Sequence, residues 1–334
     1  MNRHAQPFPL QTALQIWKRQ KQKKPKTTLA EHICSASPTC PRLTFLRIAG
    51  ACEGVLAFTL ACTPQATAQP LKFATWNMEW LLDTASPLSA TAPADIPHRT
   101  NQDLATLATY AQHLNADVIG FQEVATPAIA ARVFAPTNYQ IFMTQDSVLQ
   151  RTGAAIRLGL NATQNPDFTA LALNPALTPH PLRSGLDLTL HKGKTSLRLL
   201  VVHLKTGCWD NAPTEKGHSC PLLVQQFAAL HTWVAARQNA HEAFAIMGDF
   251  NRRMTPHDPF FQTLVQDTPL TLATAGAASP CAGGSYFIDH IILGGAASAW
   301  AAQYSLRVMV YQPTEKAVLS DHCPVSVLVN MPEY

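Results

Sequence analysis

Ten short apolar stretches, each closed by a polar or turn-forming residue, constrain this chain more than any other feature. They are Leu71–Thr75, Val118–Phe121, Gln140–Met143, Ala154–Leu158, Leu186–Leu190, Leu197–His203, Ala243–Met247, Phe287–Leu293, Leu306–Val310 and Val325–Val329. Val, Ile and Leu dominate them, and Gly, Pro, Asn or Asp bound them, which predicts strands. Leu186-Asp187-Leu188-Thr189-Leu190 alternates, so one face of that strand is expected to be solvated. Two helices are expected among them. One covers 101–114, with Thr100 as N-cap, Asp103 three residues on as an acidic capping box, and Leu104, Leu107, Ala111 and Leu114 on one face. The other covers about 221–238, with Pro221 in its first turn and Leu223, Phe227, Leu230 and Val234 as its stripe. Strands outnumber helices and no internal repeat is present, so two packed sheets flanked by helices are expected.

Polar words sit at the ends of four of these runs. Thr75-Trp76-Asn77 follows the first, Gln122-Glu123 the second and Gly248-Asp249-Phe250-Asn251 the seventh, while Ser320-Asp321-His322-Cys323-Pro324 opens the last. Each word alone reads as a turn; a loop Glu is ordinarily solvated, and Asp-x-Asn is a common turn former. Together they hold what a metal-assisted hydrolytic site needs. Glu123 ends a buried strand and offers the oxygen that a hard divalent ion prefers. Asp249 and Asn251 lie two apart, so extended geometry turns both to one side. His322 can act as acid, base or donor to developing charge. Asp289 lies on an apolar strand, where a carboxylate is tolerable only beside an imidazolium or a metal. His203 ends the strand before it, where a lone histidine is more often a hydrogen-bonded core residue.

Charge divides the chain near residue 70. Residues 1–69 carry a net +7 and residues 70–334 a net −3, within a formal total of +4. The acidic part offers no basic field for nucleic acid, which weakens that partner without removing it. The basic run Lys18–Lys26, the apolar stretch Gly54–Ala61 and Ala66-Thr67-Ala68 resemble a signal peptide cleaved near Ala68. The stretch is too short for a stable membrane span. Leu60-Ala61-Cys62 faintly resembles a lipoprotein processing site. Two domains are therefore expected, a basic leader at 1–69 and a folded domain at 70–334, in a periplasmic or secreted monomer. Of the eight cysteines, Cys34, Cys40, Cys52 and Cys62 fall in the leader. Cys208 and Cys220 bracket a polar loop and are expected to pair, with Cys281–Cys323 a second candidate bridge.

The words Trp76-Asn77, Gln122-Glu123, His203-Leu204, Gly248-Asp249-Phe250-Asn251, Ile288-Asp289 and Ser320-Asp321-His322 resemble, in that order, the endonuclease/exonuclease/phosphatase superfamily over about 71–330. That superfamily includes pancreatic deoxyribonuclease, exonuclease III-type repair nucleases, inositol polyphosphate 5-phosphatases and bacterial neutral sphingomyelinases, and exported bacterial members look most alike. The resemblance implies a four-layer α/β sandwich of two mostly antiparallel sheets flanked by helices. It implies that Glu123, Asn77 and Asp321 serve Mg²⁺ or Mn²⁺, that Asp249 activates water and that Asn251 binds phosphate. It implies that Asp289 orients His322 and that His203 and Arg151 face the phosphate. The expected activity is phosphodiester hydrolysis, with DNA or RNA as candidate substrates. A lipid or small-molecule phosphoesterase is the alternative, and a catalytically silent binding module on the same fold is the reading from another class. No sphingomyelinase-like apolar hairpin and no basic insertion for wrapping a duplex is present.

Overall fold

Alternation along the central strands builds the architecture, because those strands are buried on both faces. The computed structural model describes residues 69–83, 87–173, 182–266, 268–281 and 285–333. Residues 1–68 of the expected leader, with its processing sites and its four cysteines, lie outside this set. The strands are β1 (Leu71–Leu81), β2 (Val118–Val124), β3 (Tyr139–Met143), β4 (Arg151–Arg157), β5 (Asn161–Gln164), β6 (Leu186–Lys192), β7 (Thr195–His203), β8 (Phe244–Asp249), β9 (Leu270–Leu272), β10 (Asp289–Gly294), β11 (Arg307–Val308) and β12 (Val325–Val329). The α-helices are α1 (Asn101–Leu114), α2 (Pro127–Val133), α3 (Cys220–Asn239) and α4 (Pro259–Val265).

These strands form two six-stranded sheets, ordered β11-β12-β1-β2-β4-β3 and β5-β6-β7-β8-β10-β9. Each sheet has one parallel pair, β1 with β2 and β7 with β8, and the remaining pairs are antiparallel. In β7, Leu199 and Val201 face the other sheet, beside Phe73, Met247 and Ile291. The intervening Leu200 and Val202 pack on α3 with Leu223 and Phe227. In β1, Phe73 joins the inter-sheet core while Ala74, Trp76 and Met78 pack beneath α1 and α2. The result is helix, sheet, sheet, helix: the expected four-layer sandwich. Each large side chain so buried stabilises the fold by about 1.5–3 kcal/mol.

Helix α1 begins with the expected capping box. Thr100 Oγ1 accepts from Asp103 N at 3.2 Å, and Asp103 Oδ2 accepts from Thr100 N at 2.7 Å. Helix α3 spans the second expected segment with Pro221 in its first turn. Two expectations change. The stretch Leu306–Val310 forms only the two-residue β11. The polar face of β6 is not solvated, because α3 covers it. Asp187 is buried, taking 2.9 Å hydrogen bonding from Trp233 Nε1 and a salt bridge from Arg198. A buried carboxylate survives there because it is paired and fully hydrogen-bonded. Both expected disulfides are present, Cys208–Cys220 and Cys281–Cys323, with Cα separations of 4.8 and 6.2 Å.

Candidate active site

On the second sheet the site is a continuation of the core pattern by one more residue per strand. Val201, Met247 and Ile291 face the first sheet, and His203, Asp249 and Asp289 lie two residues beyond them on the same face. The three are direct neighbours, since His203 pairs with Asp249 and Asp249 with Asp289. Gly248 makes this close pairing possible. Its φ is 148°, and a Cβ there would meet the Val202 carbonyl oxygen at 1.9 Å.

The first sheet delivers its residues differently. Asn77 continues the inter-sheet face of β1, but the register then shifts before Leu81, and Glu79 and Trp80 take φ of 45° and 53°. In β2, Ile119 and Phe121 face the helices, so alternation alone would send Glu123 there too. A register shift between Phe121 and Val124, with φ of 62° at Glu123, breaks the alternation. Its carboxylate instead meets Asn77 Nδ2 at 3.1 Å through Oε1. Oε2 accepts from Trp80 N at 3.1 Å and from Gln150 Nε2 at 2.6 Å.

Asn77 bridges the sheets, because its Nδ2 also donates to Asp249 Oδ2 at 3.0 Å. Asp249 accepts from Asn251 N at 2.7 Å and Asn251 Nδ2 at 3.2 Å. The Asp-x-Asn word is therefore a turn and part of the site at once, as is Asn77, whose Oδ1 accepts from Glu79 N at 2.9 Å. Asn251 Nδ2 also donates to Leu204 O at 3.1 Å.

His322 enters from the chain before β12. Its Nδ1 lies 2.7 Å from Asp289 Oδ2, and its Nε2 lies 3.8 Å from Asp249 Oδ2. Burial alone would lower its pKa. The charge and hydrogen bond of Asp289, with Asp249 and Asp321, overcome this and raise it well above the usual imidazole value. The protonated form of His322 is thus favoured by its surroundings. Burial pushes the Asp249 carboxyl up to about 7, with His322 opposing the shift and Asp289 adding to it. Ser320 holds the segment in place: its Oγ donates to Asn77 O at 2.7 Å and accepts from His322 N at 3.1 Å.

Asn77, Glu123, His203, Asp249, Asn251, Asp289 and His322 thus converge at one end of both sheets. Two expected residues stand apart. Asp321 is exposed at the rim, its backbone N donating to Glu79 Oε2 at 3.0 Å and its Oδ1 3.9 Å from His322 Nε2. Arg151 is half-buried, and its guanidinium donates to Thr144 O rather than to the cluster.

Four functional neighbours were not read from the sequence. Arg183 is buried and its NH1 lies 2.8 Å from His203 Nδ1. Gln150 holds Glu123. Glu79 receives the Asp321 backbone. Arg99, also buried, ties the irregular end of β1 to the His322 segment, donating to Glu79 O at 2.8 Å, to Val318 O at 3.2 Å and to Leu319 O. These four lie in loops or act on backbone, so no motif marks them.

The donor set fits a hard divalent cation. It is made of carboxylate and amide oxygens with few imidazoles, and Asp289 Oδ1 is a buried carboxylate oxygen with no hydrogen-bond partner. Ligand atoms of Asp249, Asp289 and His322 also lie within 4.8 Å of one another. A family model described as the Endonuclease/Exonuclease/phosphatase family matches residues 74–322, which contain every member of this cluster. The chain belongs to that family. Among solved structures, endonuclease/exonuclease/phosphatase folds superpose on it. A truncated Caenorhabditis elegans TDP2 has a TM-score of 0.55 at 16% identity, covering 78% of this chain and 97% of that one. A humanized D. rerio TDP2 gives 0.53 at 16% identity, with 78% and 98% covered. An endonuclease/exonuclease/phosphatase from Bacteroides vulgatus gives 0.50 at 14% identity, with 79% and 99% covered. At such identities the likeness is one of fold. No curated protein sequence matches significantly.

Proposed function

We propose that this protein is a divalent-metal-dependent phosphodiesterase that hydrolyses its substrate by in-line attack of water. One observation carries the reading: a single amide, Asn77 Nδ2, joins Glu123 of one sheet to Asp249 of the other, facing the Asp289–His322 pair. Glu123 and Asn77 would hold Mg²⁺ or Mn²⁺, with Asp321 at the rim. When bound, the ion supplies Lewis-acid polarisation of the phosphoryl group.

The chain's own groups divide the remaining work. Asp249, fixed by three N–H donors, orients the attacking water and takes its proton. The amide of Asn251 would bind a phosphoryl oxygen by redirecting an Nδ2 proton from Leu204 O. The His322 imidazolium, locked by Asp289, stabilises the charge of the pentacovalent transition state and gives its Nε2 proton to the leaving oxygen. His203 donates to another phosphoryl oxygen from the opposite wall.

DNA or RNA is the first substrate class. The net charge of −3 over residues 70–334 favours a second reading, a lipid or small-molecule phosphoester, because a polyanion would gain no long-range attraction. Two disulfides support an oxidising, extracytoplasmic location, which cell fractionation would check. The deciding experiment is hydrolysis of plasmid DNA, RNA, sphingomyelin, phosphoinositides and bis-p-nitrophenyl phosphate with Mg²⁺ or Mn²⁺. Turnover of any one that chelation abolishes supports the enzyme. Failure on the whole panel leaves the silent binding module.

A further inference from the structure

We infer that Arg183 is a positioning residue that locks His203 in the tautomer carrying its proton on Nε2, making it an obligate donor in the cleft. The inference rests on the phosphodiesterase reading for its meaning, and on geometry for its content. Arg183 NH1 lies 2.8 Å from His203 Nδ1, and both side chains are buried. A guanidinium donates only and keeps its proton in proteins. Nδ1 must therefore accept, and the proton of the neutral ring must sit on Nε2. That Nε2 faces Glu123 Oε1 at 3.6 Å and Asp249 Oδ2 at 3.8 Å, beyond hydrogen-bond reach of either.

The backbone around Arg183 is anchored as such a role requires. Ser184 N and Oγ donate to the two Asp146 carboxylate oxygens at 2.9 and 2.8 Å, and Thr152 Oγ1 donates to Ser184 O at 3.0 Å. Thr152 lies on β4 of the first sheet and His203 on β7 of the second, so Arg183 spans the gap between sheets. A simple counter-charge to Glu123 and Asp249 would not need a guanidinium nitrogen at Nδ1. With Nδ1 committed, His203 cannot serve as a base; it can only donate to a phosphoryl oxygen.

The test uses ¹⁵N-histidine spectra of the metal-free protein, with the His203 signals assigned by their loss in His203→Ala. The expected result is a pyridine-type Nδ1 and a pyrrole-type Nε2. Arg183→Gln introduces an amide that can donate or accept and should give a tautomer mixture. Arg183→Lys, still a pure donor, should restore one form and guards against loss of folding. On whichever substrate of the panel turns over, Arg183→Gln should lower kcat about tenfold with KM little changed, and cost nothing further in a His203→Ala background. A protonated Nδ1 in the unmodified protein, an unchanged tautomer in Arg183→Gln, or losses that multiply in the double variant would each overturn the inference. Absence of any turnover defeats the phosphodiesterase reading, while the spectra still decide this one.

Discussion

The two sheets deliver their site residues by opposite means. The second sheet places His203, Asp249 and Asp289 in register across three adjacent strands, each one step beyond an apolar residue on the same face. The first sheet reaches Asn77 by the same rule and then abandons it, with register shifts in β1 and β2 and left-handed backbone at Glu79, Trp80 and Glu123. Such conformations cost about 1–3 kcal/mol each and persist only where the surroundings over-determine them. Here Arg99, Gln150 and the Asn77 side chain do so. The regular sheet thus sets three groups side by side by strand register, although Asn251 just past it also takes a φ of 50° and His203 is braced by Arg183. The irregular one makes its part of the site depend on side chains that touch no substrate.

Substitutions on the two sides should therefore fail differently. The largest effect is expected at Asp249, whose change to Asn removes the base and should lower turnover about 10³-fold with the fold retained by near-ultraviolet circular dichroism. The same variant carries a pH signature. The folded-state pKa of about 7 lies above the unfolded value near 3.8, so between them the folded protein holds a proton that the unfolded chain has lost. Wild-type stability attributable to this group therefore falls as pH rises from about 4 to about 7. In metal-free urea titrations Asp249→Asn should gain on the wild type across that window, by an amount on the order of several kcal/mol, and Mg²⁺ should shrink the gap. A gap independent of pH would show that Asp249 is ionised throughout.

Next comes Asp289→Asn. It should lower kcat about 10²-fold while Mg²⁺ affinity by calorimetry stays nearly constant, because Asp289 works through His322. Equal loss of both would make Asp289 a metal ligand and blur the distinction between the sheets' tasks. The smallest effect is expected at Arg99. Arg99→Met strips the Glu79, Val318 and Leu319 carbonyls of a donor and should cost about 2 kcal/mol in urea unfolding. It should also loosen the His322 segment, so turnover falls along with stability. Turnover untouched at full loss of stability would mean that the irregular strand ends stand without their braces.

How much of this was legible in the chain follows the same division. Residues on regular elements could be read. Helix α1 announced itself through Thr100 and Asp103, Asp249 and His203 lay where apolar runs ended, and Asp289 stood out as a carboxylate inside one. Glu123 was found as a polar residue after a strand, but nothing in the sequence signals the positive φ that turns it from the helix side. The helices α2 and α4 were missed because two turns carry too little periodicity, although Thr126-Pro127 and Asp258-Pro259 are N-cap and first-turn signals. The short strands β5 and β9 were missed for the same want of length. The covered face of β6 shows the limit of alternation, since it cannot tell water from a paired carboxylate beneath a helix. Arg183, Gln150 and Arg99 escaped because they lie in loops and their partners are distant in sequence.

The pairing of β1 with β12 sets the order in which the site can come into being. Leu71–Thr75 waits for Val325–Val329, more than 240 positions later, and His322 arrives with that strand. Six of the seven clustered groups lie before that strand in the chain, and the seventh, His322, immediately precedes it. Cys323 follows His322 directly, so its bond to Cys281 ties down the same segment. A chain that stopped short of the segment entering β12 would hold the other six groups and lack His322.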